Sequence, residues 1–108
     1  MVGRAEISQN SFSVDNSYVF VAPIRAQADG KEKIRVNIVL LNNQGLGVLG
    51  KKIAIATVPG LQIEGIQATT DNFGKAIFDV SSIQKGEFYV EISVEGSPMP
   101  QKTHLSFY

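Results

Sequence analysis

The sequence predicts an all-β domain, an antiparallel β-sandwich of seven to eight strands, on three observations. Apolar residues recur with period two, and no segment shows the helical period. β-Branched residues are abundant. Clusters of Gly, Asn, Asp and Pro divide the apolar runs at fairly even spacing, as in a sandwich.

Each element follows in order. Residues 1–10 are polar and unpatterned and read as a flexible lead-in or linker; residues 11–108 read as a single domain. Residues 11–14 are a candidate short strand. The first full strand, 18–27, kinks at Pro23, which cannot donate to a ladder, and is therefore expected at a sheet edge. In 32–41, Ile34, Val36, Ile38 and Leu40 point one way, as in a half-buried strand. Strands follow at 51–58 and 61–68. Within the latter the apolar phase changes between Ile63 and Ile66, and Gly65 at the change predicts a β-bulge. Strand 75–81 directs Ala76, Phe78 and Val80 inward. Strand 87–95 places Phe88, Val90, Ile92 and Val94 on one face and Tyr89, Glu91, Ser93 and Glu95 on the other. The last strand, 102–108, runs to Tyr108. The expected core comprises Ile34, Val36, Ile38, Ile55, Phe78, Val80, Phe88, Val90, Ile92, Leu105 and Phe107.

Turns are expected at 28–30, 42–45, Gly50, 59–60, 71–74, 85–86 and 96–98. In Thr69-Thr70-Asp71-Asn72-Phe73-Gly74, Asp71 is placed to accept backbone N–H groups, Asn72 and Phe73 form the tip, and Gly74 takes the left-handed conformation.

Composition narrows function. Ten basic and ten acidic side chains cancel, which argues against nucleic acid or an acidic membrane as partner. No apolar run, 38–41 included, approaches the roughly 20 residues of a membrane helix. There are no cysteines, so no disulfide supports the fold. The first ten residues carry one Arg but no apolar segment of a signal peptide. The chain is therefore expected to be a piece of a longer protein, with Met1 a cloning start.

Catalytic chemistry finds no foothold, and no catalytic residue, metal or cofactor is expected. His104 is the lone histidine, on the outward face of the last strand, with no second ligand nearby in sequence and no serine in a nucleophile elbow. Asp29, Asp71 and Asp79 are scattered singly and read as turn or surface residues, not a calcium cage. Gly45, Gly47 and Gly50 lack the Gly-Lys-Ser/Thr ending of a phosphate loop. Lys31, Lys33, Lys51 and Lys52 read as a small basic patch or as edge-strand lysines that oppose aggregation. The candidate ligand contacts are Phe73 and Tyr89, exposed rings of the kind that stack on sugars or anchor interfaces. The structural reading favoured for Phe73 is that it folds back on the sandwich end, and for Tyr89 that it covers the sheet. Tyr108 is a further outward ring.

The turn motifs add a resemblance. Ala28-Asp29-Gly30 is followed by Asn42-x-x-Gly45-x-Gly47-Val48-x-Gly50, then Thr69-x-Asp71-x-x-Gly74-x-Ala76-x-Phe78, then Gly86-x-Phe88-x-Val90, and finally Phe107. In order and spacing this resembles the group 1 bacterial immunoglobulin-like domain of invasin- and intimin-type proteins. Asn42 stands where that pattern has Asp, Gly47 where it has Pro, and Phe88 where it has Tyr. The resemblance implies an immunoglobulin-like sandwich and a non-catalytic module of a bacterial surface or secreted protein, spacing or presenting an adhesive domain. It implies an extracellular or cell-surface location. The partners it implies are neighbouring domains of the same chain and a host or cell-surface protein or glycan. Two other readings are a carbohydrate- or protein-binding accessory module, and a structural subunit of a surface layer, pilus or phage-type assembly.

Overall fold

A computed structural model describes residues 11–108, and these form a β-sandwich. Ten strands follow in order: β1 (Tyr18–Ala22), β2 (Arg25–Ala26), β3 (Ile34–Val39), β4 (Ile53–Ile55), β5 (Leu61–Gln67), β6 (Lys75–Ser82), β7 (Gly86–Val90), β8 (Ile92–Val94), β9 (Ser97–Pro98) and β10 (Thr103–Phe107). One layer is the sheet β1-β3-β6-β5. The other is made of two three-stranded sheets, β2-β10-β7 and β4-β8-β9. All pairings are antiparallel except β2 with β10.

The centre is the β3–β6 ladder. Ile34 faces Val80, Val36 faces Phe78 and Ile38 faces Ala76, and all six side chains are buried. Period-two alternation puts Arg35 and Asp79 on the opposite face of the same register, where the guanidinium donates two hydrogen bonds of 2.9 and 3.0 Å to the carboxylate. Arg35 holds Asp79 below the usual carboxylate range by that hydrogen bond, assisted by its charge. Leu105, Phe107, Val90, Ile92 and Val94 close the core from the other layer.

Two expected long strands are each divided between sheets. The run at 18–27 breaks at Pro23: β1 pairs with β3 as an edge strand, whereas β2 crosses to β10. The run at 87–95 breaks at Glu91, so β7 pairs with β10 and β8 with β4. Its inward phase survives the break, because a sandwich strand can change partner without turning its buried face over. Gly96 is in a turn, but Ser97 and Pro98 form β9 against β8 rather than continuing that turn. Residues 11–14 form no strand; Ser13 instead donates its N–H to the Leu41 carbonyl. The bulge in β5 is present: Gly65 pairs with Phe78 and Gln67 with Ile77, leaving Ile66 as the extra, exposed residue. Ile55 and Phe88, expected in the core, are only partly buried at its margin. Phe88 meets Phe107 edge to face, with centroids 6.1 Å apart. The expected lead-in at 1–10 lies outside the described residues.

The two ends of the rod, 54 × 21 × 18 Å in extent, are distinct. Residues 13–17 lie against Leu41 at the end carrying the 42–50 and 69–74 loops. Tyr108 exchanges backbone hydrogen bonds with Ala26 and Ala28 at the other end, where Gly30 bonds Ser82. The chain therefore enters the described fold at one pole and reaches Tyr108 at the other.

Phe78→Ala removes a large buried side chain from the central ladder. We expect a loss of about 3–5 kcal/mol in chemical denaturation; a loss under about 1 kcal/mol would contradict the packing described.

Candidate functional site

The entry pole is built from short loops that satisfy their own backbone. Asn42 Oδ1 accepts the N–H groups of Gln44 at 2.9 Å and Leu46 at 3.0 Å, with Asn42 itself buried. Its amide oxygen thus does the work of a carboxylate acceptor, without a charge to bury. Asp71 Oδ1 accepts the N–H groups of Phe73 at 2.9 Å and Lys75 at 3.0 Å, and Gly74 closes the turn at φ 77°. Buried Thr70 joins the two loops. Its hydroxyl donates to the Val48 carbonyl at 2.7 Å and accepts the Lys51 N–H at 2.8 Å. Gly47 lies so close to the Phe73–Gly74 peptide that an added Cβ would overlap the Phe73 carbonyl. A side chain at 47 therefore requires the loops to separate.

These constraints present rather than hide the apolar residues at the tips. Phe73 is 78% exposed, which corrects the expectation that it folds back on the sandwich end. Its backbone is fixed by Asp71 and by contact with the 42–50 loop, and the ring is turned away. Leu46 and Leu49, 60% and 63% exposed, occupy that neighbouring loop. Sequence reasoning missed them as surface candidates. The available signal was two leucines among turn glycines, where no strand phase directs them inward.

Tyr89 sits elsewhere, on the outward face of β7, and is 62% exposed. It stacks on its cross-strand partner His104, with centroids 4.9 Å apart and planes at 21°. Glu87 receives the Ser106 hydroxyl at 2.9 Å and pairs with His104 Nε2 at 2.5 Å. These contacts, that from Ser106 foremost, draw the Glu87 carboxyl below its ordinary range. The arrangement differs from a nucleophilic triad. The carboxylate stands between hydroxyl and imidazole, so the Ser106 proton is directed at Glu87 rather than at the ring that would act as base. At the far end of this face Arg25 lies 4.6 Å above the Tyr108 ring. Phe73, in the turn before β6, and Tyr89, on strand β7 of the other layer, are thus not brought together.

The four lysines divide between the two poles and form no single patch. Lys31 and Lys33 lead into β3, a central strand, near the pole that holds Tyr108, whereas Lys51 and Lys52 lead into β4 at the entry pole. Lys33 pairs with Glu64 at 3.1 Å. Asp29 is a turn residue, its Oδ1 accepting the N–H groups of Lys31 and Glu32; the Glu32 bond is the first cause of its lowered pKa.

Asp71 makes the pole sensitive to acid. The Lys75 N–H is the largest influence and lowers its pKa; burial opposes it, and the Gln67 amide and the Phe73 N–H add to the lowering, which prevails. A pKa lower in the folded than in the unfolded chain stabilises above the unfolded value, about 3.9. That contribution disappears as pH falls through the folded value. We expect thermal stability to fall on acidification through this window, and the fall to be shallower in Asp71→Asn. Parallel melting-temperature profiles for the two proteins would contradict this role.

Comparison with known proteins places this geometry. Invasin, described as a bacterial integrin-binding protein, is similar over 91% of this chain and 20% of its own, with 20% identity and a TM-score of 0.79. The Yersinia pseudotuberculosis adhesin InvE is similar over 92% of this chain and 28% of its own, with 18% identity and a TM-score of 0.74. The D00-D0 domain structure of intimin is similar over 92% of this chain and 48% of its own, with 17% identity and a TM-score of 0.70. This chain therefore spans between a fifth and a half of those structures, and at such identities they attest the fold. No curated protein matches the sequence. The family model of the bacterial Ig-like domain (group 1) matches residues 16–108, nearly the whole chain, and the chain belongs to that family.

Proposed function

We propose that this domain is a rigid, non-catalytic module of a larger bacterial surface or secreted protein, and that it spaces or presents an adhesive region beyond it. The observation that carries this reading is the placement of residue 13 and Tyr108 at opposite poles of a rod with one continuous core. Tension applied between those poles is borne by the ladders of both layers, because the strands run along the rod. The similar structures support the reading in kind, since two of them are described as an integrin-binding protein and an adhesin.

The partners in this reading are neighbouring domains of the same chain, with a host or cell-surface protein or glycan engaged elsewhere. Phe73, Leu46 and Leu49 make the entry pole the natural contact for the preceding neighbour. Exposed apolar residues on fixed loops lose little conformational entropy on docking. A second reading, contact with a protein or glycan through Phe73 or Tyr89, is favoured by one observation: the Tyr89–His104 stack is an exposed, preoriented aromatic face.

Small-angle scattering on the longer chain tests the spacer reading. Each module of this kind is expected to lengthen the particle by approximately its own long dimension, and Phe73→Ser with Leu46→Ser to increase bending at the entry pole. A compact particle, or one whose flexibility ignores both substitutions, contradicts it. Glycan-array binding lost in Phe73→Ala or Tyr89→Ala would instead favour the second reading.

A further inference from the structure

The division of the first strand between two sheets leaves a strand position empty among the described residues. β2 covers β10 only at Ser106 and Phe107, where it pairs with Arg25 and Ala26. Thr103, His104 and Leu105 pair with β7 on one side. Among the described residues, no strand lies on their other side. The segment that would continue β2 along this edge is β1, but it has joined β3 in the opposite layer. An open groove of about 730 Å³ separates the two, with Phe20, Val21 and Ile24 on one wall and Met99, Thr103 and His104 on the other. That volume lies within the range of ligand-binding clefts, about 300–1,000 Å³.

The chemistry of the walls selects the occupant. β1 is itself an edge strand, so the groove runs between two strand edges. Edge N–H and C=O groups recur at strand spacing, and another backbone meets them in register whereas a sugar does not. The position is also in line with the β2–β10 pairing within this chain, which fixes the line an added strand would take. Tyr18, Phe20 and Ile24, all exposed on the β1 side, supply apolar surface for its side chains. Val21 and Met99, partly buried at the core margin, supply an inner floor. We propose that this groove accepts an extended polypeptide segment of a partner chain, which pairs with Thr103–Leu105 in line with β2 and sets alternate apolar side chains against Val21 and Met99.

A random heptapeptide library displayed on phage, panned against the domain, provides the probe. The enriched sequence is then synthesised and its binding followed by amide NMR and hydrogen exchange. Expected are enriched sequences apolar at every second position and slowed exchange at His104 and along the β1 wall, since Thr103 and Leu105 turn their N–H groups to β7. Strand N–H groups alternate in direction, so His104→Pro, and not Thr103→Pro, removes a donor facing the groove. His104→Pro should weaken binding roughly three- to tenfold, the worth of about one hydrogen bond. If either variant unfolds, the exchange map on the unaltered domain decides. The proposal is overturned if no peptide is enriched or if protection maps to β5 or the Phe73 loop. It is equally overturned if sedimentation shows the groove closed by a second copy, or if chitotetraose binds there and peptides do not.

Discussion

The β3–β6 pairing is the constraint on which the rest of the structure depends. Six facing side chains bury one side of the ladder, and the Arg35–Asp79 pair closes the other in the same register. A slip of one residue would send the apolar set to solvent and Arg35 into the core, so the register has no close competitor. β1 and β5 then have one edge each on which to pair, and the second layer has one apolar face to cover.

The loops of the entry pole are fastened to this ladder. β3 ends where the 42–50 loop begins, and β6 starts where the 69–74 loop ends. The Leu40 N–H bonds the Gly74 carbonyl at 2.8 Å, and the Val48 N–H bonds the Leu40 carbonyl at 3.0 Å, so the loops are fastened to the strands they extend. Gly74 is required there twice over: its φ is positive, and an added Cβ would overlap the Leu40 carbonyl. Fixed backbone with exposed side chains makes a contact surface that needs little ordering when a neighbour docks.

Much of the fold was legible because period two is a local signal. The inward sets of 34–40 and 88–94, the bulge at Gly65, the break at Pro23 and the Asp71–Gly74 turn each follow from a few adjacent residues. What stayed hidden depends on partners distant in sequence. Alternation tells which face of residues 87–95 is buried, but not that the ladder changes from β10 to β4 at Glu91. It places His104 and Tyr89 outward without revealing that they stack. Phe73 was legible as a tip residue; whether it bends inward depended on the Gly47 loop already filling the space beneath its backbone. The groove beside β10 was invisible for the same reason, since it exists only because β1 and β2 part company.

If the domain is rigid from its core ladder out to its entry pole, native-state hydrogen exchange shows it most directly. The N–H groups of Gln44 and Leu46, held by Asn42, and of Phe73 and Lys75, held by Asp71, should exchange with protection approaching that of β3 and β6. Fast exchange at these four positions beside a protected ladder would show a mobile pole on a rigid core, and would contradict the account.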